Sequence, residues 1–333
     1  MRENGTGLVL RGINYDTGTN YSGSGLSRKP LPEHVVRQHM AVIRDDLHCT
    51  SVSLFGTDID RLTEAAGAAL ALGLHVWLQP RLVEAGPQET LEHLEAAARA
   101  AEQLRRQYGR VDLNVGCELT IFGSGIIPGD THADRSAKLA SAEWWPRFSE
   151  FNEQLDDVLG RAREVARAQF GGRLTYGAGL WEEVDWTHFD MVGLNYYRMA
   201  YNDADYVTNL RRFHSSGKPI VITEFGCCAF DGAAEMGPAG YGIIDWAADP
   251  PALSGTFTRN EQVQADYLSQ QLGVFAAEGV YGAYVFEFMA PKPHSLDPRY
   301  DLDMASFGVV KVVDDGWEPK TAFDELARLY SAH

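Results

Sequence analysis

Short runs rich in β-branched and aromatic residues alternate with longer stretches of helical periodicity along nearly the whole 333-residue chain, and few folds can absorb such a beat. The pattern predicts strands at residues 8–14, 51–55, 74–80, 111–119, 174–180, 190–197, 220–224 and 282–288. Helices are predicted at 32–47, 58–72, 87–108, 146–170, 203–216, 259–278 and 321–332, with Asp58 as a capping residue and Gly73 and Gly109 as stops. Eight strands joined by mostly helical connections and closed by a terminal helix is the count of a (β/α)8 TIM barrel, an α/β fold that one domain spanning 1–333 would fill. The weakest link is the fifth connection, where only residues 181–189 separate two strands. A doubly wound open sheet is the competing arrangement, but the glycine-rich segment at 17–29 has neither GxGxxG spacing nor a GK[ST] ending.

Charge narrows the partners. With 46 acidic against 29 basic residues the formal net charge is -17, a field that repels nucleic acid and anionic membrane surfaces, so neither is expected as a partner. The N-terminal segment lacks a signal-peptide core and there is no uninterrupted apolar run of ~18 residues, so a cytoplasmic protein is expected. Cys49, Cys117, Cys227 and Cys228 show neither paired CxxC spacing nor the density of a disulfide scaffold, which predicts free thiols. No His/Asp/Glu cluster has metal-ligand spacing, and no metal or other cofactor is expected.

In a barrel of this kind function sits at the C-terminal ends of the strands. Those ends carry Asn14, Tyr15 and Asp16 after the first strand, Gln79 and Arg81 after the third, Cys117 and Glu118 after the fourth, Asn195, Tyr196 and Tyr197 after the sixth, Glu224 after the seventh and Glu287 after the eighth. Glu118 and Glu224 stand out because each directly follows an apolar run, where an unpaired carboxylate is costly and packing does not explain it. Two carboxylates facing one another suit glycosidic bond cleavage: one protonates the leaving oxygen while the other attacks or shields the sugar carbon. Tyr197 is placed to hydrogen-bond the attacking carboxylate, while Tyr196 should alternate to the other face. Asn14, Tyr15, Asp16, Arg81, Cys117, Asn195, Trp246 and Glu287 are assigned to substrate binding. Arg81 either holds a substrate carboxylate or pairs with Glu118 or Glu287.

Two long connections complete the expected site. Residues 229–258 read as a structureless lid with Tyr241 and Trp246 to cover a ligand, and 121–138 as a second insertion. Trp144, Trp145 and Trp181 could serve as sugar platforms or as core; the adjacent Cys227 and Cys228 read as small buried residues, and His48, His75 and His188 as structural.

On RGINYD (11–16), GCEL (116–119), DMVGLNYYR (190–198), ITEFG (222–226) and WEPKTAFDELARLY (317–330), the chain resembles the clan A retaining glycoside hydrolases. DMVGLNYY is similar to the sixth-strand segment of the family 1 β-glucosidases, and ITEFG to the nucleophile strand of the clan. The resemblance implies Glu224 as nucleophile, Glu118 as acid/base and Tyr197 as the nucleophile's partner. The order of segments also resembles an actinobacterial group labelled abortive infection proteins, a label that carries no mechanism. The chain departs from the clan at three places: Cys117 replaces the asparagine before the acid/base, SVSLFG (51–56) offers no arginine to support the nucleophile, and Phe286 and Glu287 replace the eighth-strand tryptophan. The expected function is thus a retaining glycosidase acting on a carbohydrate or other small molecule, with an atypical sugar or a specialised metabolite as substrate. A non-hydrolytic acid/base enzyme and a catalytically silent barrel that binds a carbohydrate or partner are the alternatives.

Overall fold

The computed structural model describes residues 7–21, 25–314 and 316–331. Eight parallel strands are present: β1 (Leu10–Asp16), β2 (Ser51–Gly56), β3 (His75–Pro80), β4 (Val111–Cys117), β5 (Leu174–Gly177), β6 (Val192–Asn195), β7 (Ile220–Phe225) and β8 (Gly282–Val285). They pair in the order β5-β4-β3-β2-β1-β8-β7-β6. The two ends of that row meet through a bridge between Ala178 and Leu194, with the Asn195 N–H donating to Ala178 O at 2.8 Å, so the sheet closes into the expected (β/α)8 barrel.

Helices α1 (Glu33–Asp45), α2 (Ile59–Ala71), α3 (Pro87–Tyr108), α5 (Phe148–Gln169), α6 (Tyr206–Arg212), α7 (Glu261–Ala277) and α8 (Thr321–Ser331) fall within the predicted spans, and α4 (His132–Leu139) is an unpredicted helix in the insertion after β4. Asp58 accepts from the N–H groups of Asp60 and Arg61 and so starts α2, while Pro87 opens α3 and Gly109, at φ 76°, ends it. The fifth connection carries only a single 3-10 turn, Trp186–His188, so the β5–β6 side lacks the covering helix that other connections provide.

Inside the barrel, Leu10, Trp77, Met191, Val221 and Tyr284 form an apolar plug. Two residues farther along their strands, inward positions turn polar: Gln79 and Thr223 join Asn14, Asn114 and Asn195, all buried. This step from apolar to polar is the floor of the functional end.

Three predicted features need correction. The segment 229–258 is not structureless: it holds a helical turn (Ala233–Met236), a 3-10 stretch (Gly237–Ile243) and a small antiparallel pair between Ile244–Asp245 and Ala252–Leu253. It docks closely, since a Cβ on Gly237 (φ 55°) would lie 2.3 Å from Met199 Cγ. The insertion after β4 is likewise pinned, by a fully buried Arg135 that donates to the carbonyls of Ile121 and Gly129 and pairs with Glu84. Finally, strands β9 (Met289–Pro293), β10 (Val310–Val313) and β11 (Gly316–Pro319) form a separate sheet that the periodicity did not announce. Several of their residues are half-exposed, so no long apolar run marks them. Buried ion pairs in the adjoining segments, Lys320 to Asp303 at 2.9 Å and Arg259 to both Asp301 and Asp303 at 2.9 Å, tie this region down.

The β5–β6 seam sets a test. A Cβ on Gly193 would lie 2.2 Å from the Tyr176 carbonyl oxygen, whereas one on Gly67, within α2, would meet open space. Gly193→Ala is expected to destabilise the barrel by about 1–3 kcal/mol through overpacking. Gly67→Ala should stabilise it by about 0.4–1 kcal/mol, both read from denaturant midpoints.

Candidate active site

The two strands that carry the glutamates are irregular just before them. β4 advances three residues, Asn114 to Cys117, while β5 advances two, and β7 advances two, Ile222 to Glu224, while β6 advances one. Each bulge inserts an extra residue and re-aims the side chain that follows. Glu118 then adopts φ 44° and ψ 50°, a left-handed conformation uncommon outside glycine. What holds it there is local: the Glu118 N–H donates to Gly177 O at 3.0 Å, and the Leu119 N–H donates to the Tyr176 hydroxyl at 2.6 Å. Buried Glu182 anchors the next residue, accepting from the Thr120 N–H and hydroxyl and also from the Tyr176 hydroxyl and the Gly179 N–H. Burial raises the Glu182 carboxyl, a cost those four donors oppose.

Glu224, 6 % exposed, accepts from three donors. Arg81 Nη2 lies 2.7 Å from Oε1, the Cys117 thiol 3.5 Å from the same oxygen, and the Tyr197 hydroxyl 3.2 Å from Oε2. The Arg81 guanidinium also reaches Gln79 Oε1 at 2.5 Å and the Tyr21 hydroxyl at 2.8 Å, and sits 4.3 Å from the Phe55 ring centroid. From Phe55 a chain of rings continues to Phe286 (5.6 Å), Phe307 (5.7 Å) and Tyr197 (6.2 Å), which returns to Glu224. A closed circuit of contacts therefore surrounds the carboxylate, and no member can turn without disturbing two neighbours.

Asn195 joins the two glutamates. Its Oδ1 accepts from the Thr223 hydroxyl at 2.8 Å, which leaves Nδ2 to donate to Glu118 Oε1 at 2.8 Å and to Cys117 Sγ at 3.3 Å. The Cys117 thiol in turn donates to Glu224, so a path of three contacts runs from one carboxyl to the other. Burial pushes the Glu118 carboxyl up to about 8, the Glu224 charge adds to this, and the Asn195 bond opposes it. The Cys117 thiol is raised well above its ordinary range by burial, which keeps it a donor.

The remaining sequence-derived residues divide. Tyr197 and Tyr196 take opposite faces as expected, Tyr196 donating to Tyr206 O at 2.7 Å. Arg81 pairs with neither Glu118 nor Glu287, nor is it free for a substrate carboxylate; it supplies from the tip of β3 the arginine that β2 lacks. Tyr15 is misassigned: its hydroxyl meets His39 Nδ1 at 2.9 Å on α1 and its ring stacks with Phe288, outside the barrel lumen. Asp16 is spent on its own loop, bonding the Gly18 N–H and the hydroxyls of Thr19 and Ser27. Asn195 and Cys117 hold the glutamates and have no free donor or acceptor directed elsewhere among the described contacts.

Asn14 donates to Thr223 O, and Glu287 is buried at the tip of β8. Trp246 is 62 % exposed on its loop with no polar contact to the glutamates, and Tyr241 is half exposed. Trp181 donates to Thr120 Oγ1 and Trp144 packs on Phe151, so both are structural; Trp145 is exposed. All four cysteines are free and buried, and His75 pairs with Asp112 at the start of its strand. Among the described residues no group of three His, Cys, Asp or Glu side chains is gathered for a metal, and no helix is long and apolar enough to cross a membrane. A recess of about 570 Å³ at the opposite end of the barrel is lined by Arg105, Arg163, Arg167, Arg173 and Lys218, of which all but Arg163 are committed to Glu102, Asp190, Asp112 or backbone carbonyls.

Sequence reasoning missed Tyr21, Glu182 and Phe307. A buried carboxylate in the short fifth connection was the available signal for Glu182; the other two had none.

Comparison with known proteins gives the same architecture. No family model and no curated protein matches the chain. Among solved structures it is similar to a GH113 beta-1,4-mannanase, with a TM-score of 0.63 and 15% identity over 98% of this chain and 100% of that one. It is also similar to the GH113 beta-mannanase AaManA from Alicyclobacillus acidocaldarius in complex with ManMIm, with a TM-score of 0.60 and 18% identity over 98% of both chains. A Bacteroides uniformis beta-glucuronidase covalently bound to cyclophellitol-6-carboxylate aziridine matches with a TM-score of 0.59 and 16% identity, over 97% of this chain and 35% of that one. At these identities the likeness shows the fold alone, a (β/α)8 barrel.

Stability should register the two raised carboxyls. Glu118 and Glu287 both move from 4.5 to about 8 on folding, so the folded chain binds more protons than the unfolded one between those values. Their contribution is therefore full below the unfolded value and is lost as pH rises through the folded one. Wild-type Tm is expected to fall between about pH 5 and about pH 8, and Glu118→Gln or Glu287→Gln to reduce that fall, in calorimetric scans.

Proposed function

We propose that this chain is a retaining glycoside hydrolase or transglycosidase in which Glu224 attacks the anomeric carbon and Glu118 acts first as acid and then as base. The observation that carries this reading is the unequal environment of two carboxyls within one network. Glu118 is pushed up to about 8 and keeps its proton at neutral pH, while Glu224 is held by Arg81, Tyr197 and Cys117 as an acceptor of three bonds. An acid and a nucleophile need this division, and environment alone produces it from two identical side chains.

In the reaction proposed, Glu224 Oε attacks the sugar carbon as the glycosidic oxygen leaves with the Glu118 proton. The Glu118 carboxylate then removes a proton from water or an acceptor hydroxyl, whose oxygen displaces Glu224 from the sugar. The carboxyl separation that this requires is about 5–5.5 Å. Arg81 keeps Glu224 from rotating, and Tyr197 follows the charge on Oε2 as the covalent bond forms and breaks. The mannanase and glucuronidase barrels lend support as neighbours of the same fold, one of them bound covalently to its ligand. A binding-only barrel is favoured by one observation, Cys117, whose thiol is a poorer sugar partner than an amide.

Incubation with a panel of activated fluorosugars and intact-mass analysis separates the two. A covalent adduct mapping to Glu224 is the expected result, and a sugar that binds without any adduct would support the binding-only barrel. With a turned-over substrate, Tyr197→Phe should lower kcat about ten- to a hundredfold, the loss of one hydrogen bond to a charged acceptor. Tyr196→Phe should leave the rate near wild type, because its hydroxyl serves Tyr206 O. The kcat/KM profile should fall on the alkaline side near pH 8, as Glu118 loses its proton, and Glu118→Gln should remove the limb along with most of the activity.

A further inference from the structure

The mechanism above leaves one buried carboxyl without a task. Glu287 is 7 % exposed, and among the described residues no hydrogen bond reaches its side chain. Its backbone is fixed, with the N–H on Phe307 O and the carbonyl accepting from the Val309 N–H. It directly follows Phe286, a member of the ring chain that runs from Phe55 to Tyr197 beside Glu224, so the residue stands at the barrel mouth. The two nearby cations are held elsewhere: Arg28 Nη2 donates to Met289 O at 2.5 Å and Lys292 Nζ to Ala305 O at 3.0 Å. Burial pushes Glu287 up to about 8, Asp16 and Glu224 add to this, and Arg28 and Lys292 oppose it.

A second acceptor lies on the adjoining strand. Asn14, 1 % exposed, gives its Nδ2 to Thr223 O at 2.9 Å, and its Oδ1 has no donor among the described residues. The two residues are neighbours, since the Phe288 N–H, next after Glu287, donates to Asn14 O at 2.9 Å. Asn14 Oδ1 and an ionised Glu287 are acceptors that no described side chain serves, and they suit a ligand group that offers only donors; an ammonium has three and no acceptor.

We propose that Glu287, with Asn14 beside it, sets substrate specificity by holding a protonated primary amine, so that the sugar taken is an amino sugar and a uronate is rejected. The proposal rests on the glycosidase reading and adds the substrate class. A neutral hydroxyl could satisfy one acceptor, but only a cation compensates a buried carboxylate. A carboxylate on the sugar would meet the charges of Asp16 and Glu224 and would gain no compensating cation from Glu287.

The test measures affinity by calorimetry at neutral pH for methyl β-glucosides and β-mannosides, each as the parent sugar, the 2-amino and 6-amino derivatives and the uronide. Wild type should bind one amino derivative at least about tenfold more tightly than its parent, with the uronide weakest. Glu287→Gln should bring that ratio close to one, and Glu287→Asp should retain part of it; unchanged circular dichroism shows that both fold. A wild-type ratio near one, a ratio that survives in Glu287→Gln, or a uronide that binds more tightly than its parent overturns the proposal. Labelling of Glu224 by neutral fluorosugars is scored in parallel. Labelling without amine preference overturns the amine site and leaves the glycosidase standing, whereas no labelling and no binding overturns both.

Discussion

The contact between Arg81 and Glu224 is the constraint on which the functional end is built. Both side chains are almost completely buried, 3% and 8% exposed, and a carboxylate taken that far from water survives only with a cation and further donors around it. Much of the barrel mouth can be understood as what this pair demands. Gln79 and Tyr21 share the guanidinium, Phe55 lies under it, and Tyr197 and Cys117 complete the carboxylate. Removing either partner would leave an uncompensated charge indoors, which is far costlier than never having built the pair.

The same pair also explains why the second glutamate behaves differently. Glu118 has no cation bonded to it; it has one amide from Asn195, partial burial and the charge of Glu224 nearby. Geometry reinforces the difference, because bulges in β4 and β7 and a left-handed residue at Glu118 bring the two carboxyls into one network from nearly opposite strands. Backbone irregularity at these strand ends is where function departs from the most regular barrel.

Much of this was legible in the chain itself. Strand ends with a polar residue after an apolar run are a local pattern, so Glu118, Glu224 and the alternation of Tyr196 and Tyr197 could be read without a structure. Tyr15 could have been placed correctly by the same rule, since Asn14 and Asp16 face inward and the residue between them must face α1. Arg81 was different. Its partner is 143 residues away, and the choice among three carboxylates depends on how a long side chain crosses the lumen, which no local pattern encodes. Bulges are equally silent, because an extra residue in a strand looks like any other residue of that strand. The late sheet was hidden for the opposite reason: half-exposed strands do not need the apolar runs by which strands are recognised.

The helix-poor fifth connection has a consequence for motion. β5 and β6 meet at one bridge with a few hydrogen bonds around it, among them Asp190 N–H to Leu174 O and Ala178 N–H to Gly193 O, a sparser pairing than the long ladders elsewhere, so this seam should open ahead of global unfolding. Asn195 lies directly on that seam, its N–H bonded to Ala178 across it and its side chain bonded to Glu118. Each parting would draw the amide away from the carboxyl, remove a bond that opposes its raised pKa, and so hold its proton more tightly. The thinnest seam of the scaffold and the carboxyl proposed as the acid thus share one side chain, Asn195.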